Sequence, residues 1–224
     1  MMKQNQLVEL RRQQVEISKQ VIVENHLPPL EQIRFIAGAD VSHSRFSSLG
    51  FAGVVVMTYP GLETVEERGV QGVLEFPYIP GFLSFREFPL IRQCLDQLQV
   101  QPDVLICDGQ GIAHPRRAGL ATHTGVLTNR ITIGCGKSRL CGEYQEPDRR
   151  KGSVSDLMYK GDKIGEVVRS RDNTHPLFIS PGHKTDFATA TRIILSLCAK
   201  YRQPEPIRRV HNYVNQLRLQ HKMI

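Results

Sequence analysis

At 224 residues, with 40% hydrophobic and 23% charged side chains, the chain can bury one sizeable core; no linker, low-complexity tract or repeat interrupts it, so one domain over residues 1–224 is expected. A net charge of +7 favours an anionic partner, of which nucleic acid is the commonest large kind. Five scattered cysteines without a CxxC pair argue against a zinc site or disulfide framework, and no run has signal-peptide or membrane-spanning character, so a soluble, cytoplasmic protein is expected. A monomer is the separate expectation, which these features do not determine.

In chain order, Leu7, Leu10, Ile17 and Val21 share one face and predict an amphipathic helix from Leu7 to Val23 that adds stability rather than chemistry. The run FIAGA leads into Asp40, and Phe51 to Tyr59 is a β-branched stretch typical of a buried strand. Leu62 to Phe76 interleaves apolar and polar residues. Turn signals at Ser47-Ser48-Leu49-Gly50 and Pro60-Gly61 separate the three runs, which predicts an antiparallel meander. Pro77 to Pro89 is rich in aromatics and prolines and leads to a helix from about Arg86 to Leu98. Glu87 falls on the apolar side of that helix, three residues before Leu90 and four before Ile91.

Val104 to Cys107 is a short apolar run suited to a strand buried on both faces, and it ends in Asp108-Gly109. An acid just past the carboxyl end of such a strand stands where α/β folds place catalytic groups. Read alone, Asp108 serves equally as a cap for the next helix, expected from Arg117 to Thr128. Then come a strand at Ile131 to Cys135 and Lys137 on a glycine-flanked loop. Arg139 to Asp162 reads as a polar excursion, followed by a possible edge hairpin (Lys163 to Arg171 with Leu177 to Ile179) and a turn at Pro181-Gly182-His183. Helices from Asp186 to Tyr201 and through Ile207, Val210, Val214 and Leu217 close the chain. Alternating strands and helices in this half imply parallel pairing, which with the meander gives a mixed five-stranded α/β core sheet.

Asp40, Glu87 and Asp108 stand at element ends that this sheet brings together, and His211 faces inward between Ile207 and Val214. Singly, each has a bland reading: Asp40 a turn residue, Glu87 a favourable charge at a helix start, His211 a satisfied core histidine, Lys137 a surface lysine. Together, several buried acids are best explained by a shared cation, and carboxylate oxygens suit Mg²⁺ or Mn²⁺. Lys137 would neutralise charge developing on a phosphate.

The strings IAGADVS (Ile36 to Ser42), PYIPGFLSFRE (Pro77 to Glu87), DGQGIAHPRRAGLATHTG (Asp108 to Gly125), IGCGKSRLCG (Ile133 to Gly142), PLFISPGH (Pro176 to His183) and YRQPEPIRRVH (Tyr201 to His211) closely resemble the endonuclease V family. The resemblance runs from about Val8 to Leu217. It implies a ribonuclease H-like fold and a Mg²⁺-dependent nuclease that recognises deoxyinosine in DNA. Cleavage is implied at the second phosphodiester bond 3' to the lesion, leaving 3'-hydroxyl and 5'-phosphate ends. Asp40, Glu87 and Asp108 would be the metal-binding carboxylates, with His211 an additional metal-site residue and Lys137 the basic group near the scissile phosphate.

The resemblance also makes the Pro77-Tyr78-Ile79-Pro80 stretch a wedge that fills the gap left by a flipped base. Gly81, Leu83, Gly111, His114 and Gly136 would belong to the substrate pocket, and Arg116, Arg117 and Lys184 would contact phosphates. Inosine-containing RNA is the alternative substrate. The sequence departs from the family's pattern at Gln110, where many relatives carry His or Asn, and at Cys135-Gly136, where Val-Ala is more usual before the lysine.

Overall fold

The structure is a computed structural model that describes residues 4–43 and 48–221, so Ser47 of the expected Ser47–Gly50 turn lies outside the described residues. Strands β1 (Phe35–His43), β2 (Leu49–Thr58) and β3 (Thr64–Val73) form the expected antiparallel meander. On the other side of β1, β4 (Val104–Cys107) and β5 (Thr132–Gly136) add in parallel. The meander and parallel pair thus make the mixed five-stranded core.

Beyond β5 the sheet continues. Strand β8 (Leu177–His183) pairs antiparallel with β5, and β6 (Val154–Tyr159) and β7 (Asp162–Val168) complete an eight-stranded sheet in the order β3-β2-β1-β4-β5-β8-β7-β6. The stretch expected to be a polar excursion therefore contains β6. An edge strand has little to bury, and in β6 the fully buried residue is Leu157, packed with Ile164, Val167, Phe178 and Ala113, so its apolar signal is weak. Pro181-Gly182-His183, expected to turn, instead ends β8. A register shift at Thr132/Ile133 accommodates Pro181 there, and the Pro181 carbonyl accepts from the Ile112 N–H.

Helices α2 (Leu83–Asp96) and α3 (Leu120–Thr128) cover one face with Ala37, Ala39, Leu105 and Cys107. Helices α4 (Phe187–Leu197) and α5 (Glu205–His221) cover the other with Ile36, Val104, Ile106 and Ile133. Helix α1 (Gln4–Lys19) lies outside, against α3.

Several expected boundaries move. Helix α1 stops at Lys19 and α4 at Leu197. Helix α3 starts at Leu120, because Arg117 adopts φ +55° and Gly119 occupies the N-cap. Helix α2 starts three residues early, so Glu87 falls in its second turn. Among the described residues no helix is long and apolar enough to cross a membrane.

Candidate active site

The two-residue period of a strand decides where the acids point. Along β1, Ile36, Gly38 and Asp40 face α5; along β4, Val104, Ile106 and then Asp108 do the same, since Ile36, Val104 and Ile106 share the α4/α5 core. Parallel pairing sets Ala39 beside Cys107, and the Asp108 N–H donates to the Ala39 carbonyl at 3.0 Å, so the two aspartates are neighbours. Asp40 does not end its strand as expected; β1 runs on to His43, and Asp40 lies opposite Gly53. Lys137 follows Ile133 and Cys135 on the same side, immediately after β5.

Helix α5 brings the histidine. Gly38 lets it approach: a Cβ at that position would stand 2.3 Å from the Pro206 carbonyl oxygen. In this close crossing, His211 Nδ1 donates to Asp40 Oδ2 at 2.8 Å, while Lys137 Nζ donates to Asp108 Oδ2 at 2.5 Å. One ligand atom each from Asp40, Asp108 and His211 lies within 4.8 Å of the others, a spacing that one cation can share. Glu87 reaches the acids from α2 on the opposite face, which is why it stands outside that tight trio.

The electrostatics fit a cation. Burial raises the Glu87 carboxyl well above the usual range, and the charges of Asp40 and then Asp108 raise it further. Asp108 is also raised by burial and by Asp40, against the lowering pull of Lys137 and His211. His211 is raised above an ordinary imidazole, chiefly by its hydrogen bond to Asp40. A divalent ion among these groups would relieve the repulsion among three carboxylates, and two carboxylates with an imidazole make a suitable donor set.

Beside the Asp108–Lys137 pair opens a cavity of about 310 Å³. Tyr78, Pro80, Gly81, Leu83, His114 and Gly136 line it, together with Gln110, Leu120, Ser138, Arg139 and Leu140. Tyr78 is 63% exposed at the rim, whereas Pro77 borders a separate groove against α1 and Ile79 is half-buried. Gly111 sits behind the wall, its N–H donating to Ser180 Oγ at 2.8 Å.

Both expected phosphate-binding arginines are engaged internally. The Gly81 carbonyl accepts from Gln14 Nε2 at 2.9 Å, His114 Nε2 at 3.0 Å and Arg116 Nη2 at 2.6 Å, and the Arg116 guanidinium also lies over Phe82. Arg117 pairs with Asp162 at 3.0 Å. Lys184 follows β8 at the end of the sheet opposite Asp108, since His183 pairs with Thr132 at the start of β5. Gln14 escaped the sequence reading. Its signal was an amide on the apolar stripe of α1, four residues after Leu10 and three before Ile17, and it is fully buried.

The chain is a nuclease with a ribonuclease H-like fold, as its relatives and structural neighbours show. The chain belongs to the endonuclease V family, whose sequence model matches residues 15–212. It is 44% identical over 200 residues to the endonuclease V of Dictyoglomus turgidum, covering 89% of this chain and 86% of that one. The crystal structure of endonuclease V from Streptomyces avermitilis superposes with a TM-score of 0.91 at 36% identity, over 97% of this chain and 94% of that one. The Ciona intestinalis endonuclease V, solved with a 23mer DNA containing an inosine followed by a ribo-adenosine, superposes at 0.86 with 28% identity, over 96% and 98%.

Proposed function

We propose that this protein is a cytoplasmic, monomeric DNA repair endonuclease that recognises deoxyinosine and hydrolyses the second phosphodiester bond 3' to it, leaving 3'-hydroxyl and 5'-phosphate ends. The observation that carries the reading is the meeting of Asp40, Asp108 and His211 beside the Lys137 ammonium at the mouth of a base-sized cavity. Asp40, Asp108 and His211, with Glu87 adjoining, would hold Mg²⁺, or Mn²⁺ in its place. Such an ion supplies Lewis acidity to the phosphate and a nucleophilic water at neutral pH.

The remaining steps belong to the side chains. His211 and Asp40 orient each other through their hydrogen bond. Lys137 brings a donor to the charge that builds on the phosphate oxygens, in a place already half-screened from water. Tyr78 occupies the gap left in the base stack, and the turn from Pro77 to Pro80 holds it stiffly. The clamp of Gln14, His114 and Arg116 on the Gly81 carbonyl fixes that turn against the body of the protein. Gly81, Leu83 and Gly136 then bound the pocket for the flipped base.

One observation favours a second substrate. The Ciona relative was solved in complex with a DNA whose inosine is followed by a ribo-adenosine. Inosine-containing RNA is therefore the alternative, and matched DNA and RNA oligonucleotides in competition separate the two.

The test is nicking of a labelled duplex carrying one deoxyinosine, with Mg²⁺ against EDTA, alongside Asp108→Ala and an undamaged duplex. Metal-dependent nicking at the second bond 3' to the lesion, absent in Asp108→Ala, supports the reading. Tight lesion binding without nicking under Mg²⁺ or Mn²⁺ sinks the catalytic assignment.

A further inference from the structure

Arg202 lies in the connection between α4 and α5, and its guanidinium donates to three backbone carbonyls. Nη2 reaches the Lys137 oxygen at 3.0 Å and the Pro176 oxygen at 2.8 Å, and Nε reaches the His175 oxygen at 2.6 Å. These carbonyls stand where the ladder between β5 and β8 stops. Gly136 pairs with Phe178, and Pro176, just before β8, has no N–H with which to carry the pairing on past Lys137. A planar fork of donors takes over where the strands leave off, a geometry that a guanidinium has and an ammonium lacks. Arg202 is itself held in place, its own carbonyl accepting from Ser170 Oγ at 2.6 Å and from Cys198 Sγ at 3.4 Å.

We infer that Arg202 is a positioning residue for the nuclease reaction: it fixes the backbone from which the Lys137 ammonium reaches Asp108, and ties that backbone to the segment entering α5. This rests on reading Lys137 as the donor to the scissile phosphate. Lys137 stands immediately after β5, where the sheet no longer holds the chain, and its ammonium rides on a flexible four-carbon stem. Asp108 holds the tip of that stem at 2.5 Å, and Arg202 holds its root. Helix α5 begins at Glu205 and carries His211 to Asp40. The arginine thus joins the chain segments that supply Lys137 and His211. Its Nε and Nη2 are occupied by carbonyls, so it acts on the phosphate through Lys137 rather than by touching it.

The experiment is a double-mutant cycle of the parent protein, Arg202→Met, Lys137→Met and the double variant on the deoxyinosine duplex. Each is read as the single-turnover nicking rate with Mg²⁺, the lesion Kd in EDTA, and the melting temperature. Met keeps much of the reach of either side chain and removes its donors. Arg202→Met should nick about tenfold slower or more, the scale on which a displaced catalytic group costs rate, with the lesion Kd unchanged. In the Lys137→Met background the same substitution should cost no further rate, because the ammonium it positions is gone. A purely structural arginine would slow nicking by the same factor in both backgrounds. Arg202→Lys, which keeps the charge and loses the fork, should also be slow, and it carries the comparison if Arg202→Met folds poorly. An equal fall in both backgrounds, a parent-like rate in a folded Arg202 variant, or a raised lesion Kd overturns the positioning role and leaves the nuclease assignment standing. A parent protein that does not nick the deoxyinosine duplex overturns both.

Discussion

Tyr78 and His123 show opposite uses of an aromatic side chain. The Tyr78 ring stands largely in solvent, so Tyr78→Ala should leave the melting temperature unchanged. Lesion binding should weaken by about tenfold or more, the worth of one stacked base contact. Gel-shift titration against an undamaged duplex reads this, and equal loss on both duplexes would remove the wedge role. His123, by contrast, is buried in α3, bonded to Ser84 Oγ at 3.0 Å and packed edge-on to Phe85 and against Phe88. Burial pushes its pKa down to about 4 from 6.5. Above pH 6.5 the imidazole is neutral folded or unfolded. As pH falls from 6.5 towards 4 the unfolded chain alone takes the proton, so stability drops by up to about 3 kcal/mol. His123→Asn should therefore flatten the decline in urea midpoint between pH 7 and 5, and an unchanged slope would exclude the histidine as its source. Neither the exposure of Tyr78 nor the burial of His123 was readable locally, since Tyr78 sits in a stretch rich in proline and aromatics and His123 in a run that mixes apolar and polar residues.

At the scale of elements, the site depends on how closely α5 lies on β1. Gly38→Ala would drive a methyl into the Pro206 carbonyl, backbone against backbone, and only a shift of α5 relieves it. The expected cost is about 1–3 kcal/mol. Nicking should fall beyond the loss of folded protein, because the shift draws His211 away from Asp40. Urea unfolding and nicking on the same samples check both, and parent-like values in each would show that α5 does not set the geometry. The strands themselves were legible. Apolar runs broken by glycine and proline marked β1, β2, β4 and β5, and an acid after β4 was visible as the strand's end. Strand β6 was not, because this edge strand fully buries only one residue.

For the whole molecule, the net charge of +7 predicts affinity for DNA that falls linearly in its logarithm with the logarithm of salt. With six or more phosphates contacted, the loss from 50 to 200 mM is about 10³-fold or more. Arg116 is turned inward onto Gly81 and Gln14, so Arg116→Met should weaken lesion binding and leave that salt slope unaltered. A slope shallower by about one would instead count Arg116 among the phosphate contacts. The sequence by itself determined the mixed sheet, the family and the residue types of the site, because strand period, turn residues and contiguous motifs are local signals. The tertiary structure alone decided that His211 bonds Asp40, that Glu87 approaches from the opposite face, and that Gln14 and Arg116 clamp Gly81. It alone shows that Gly136 makes room for Gln110. These contacts join residues 26 to 171 positions apart and form only when helices and strands cross, and the crossing is set by packing across the whole sheet.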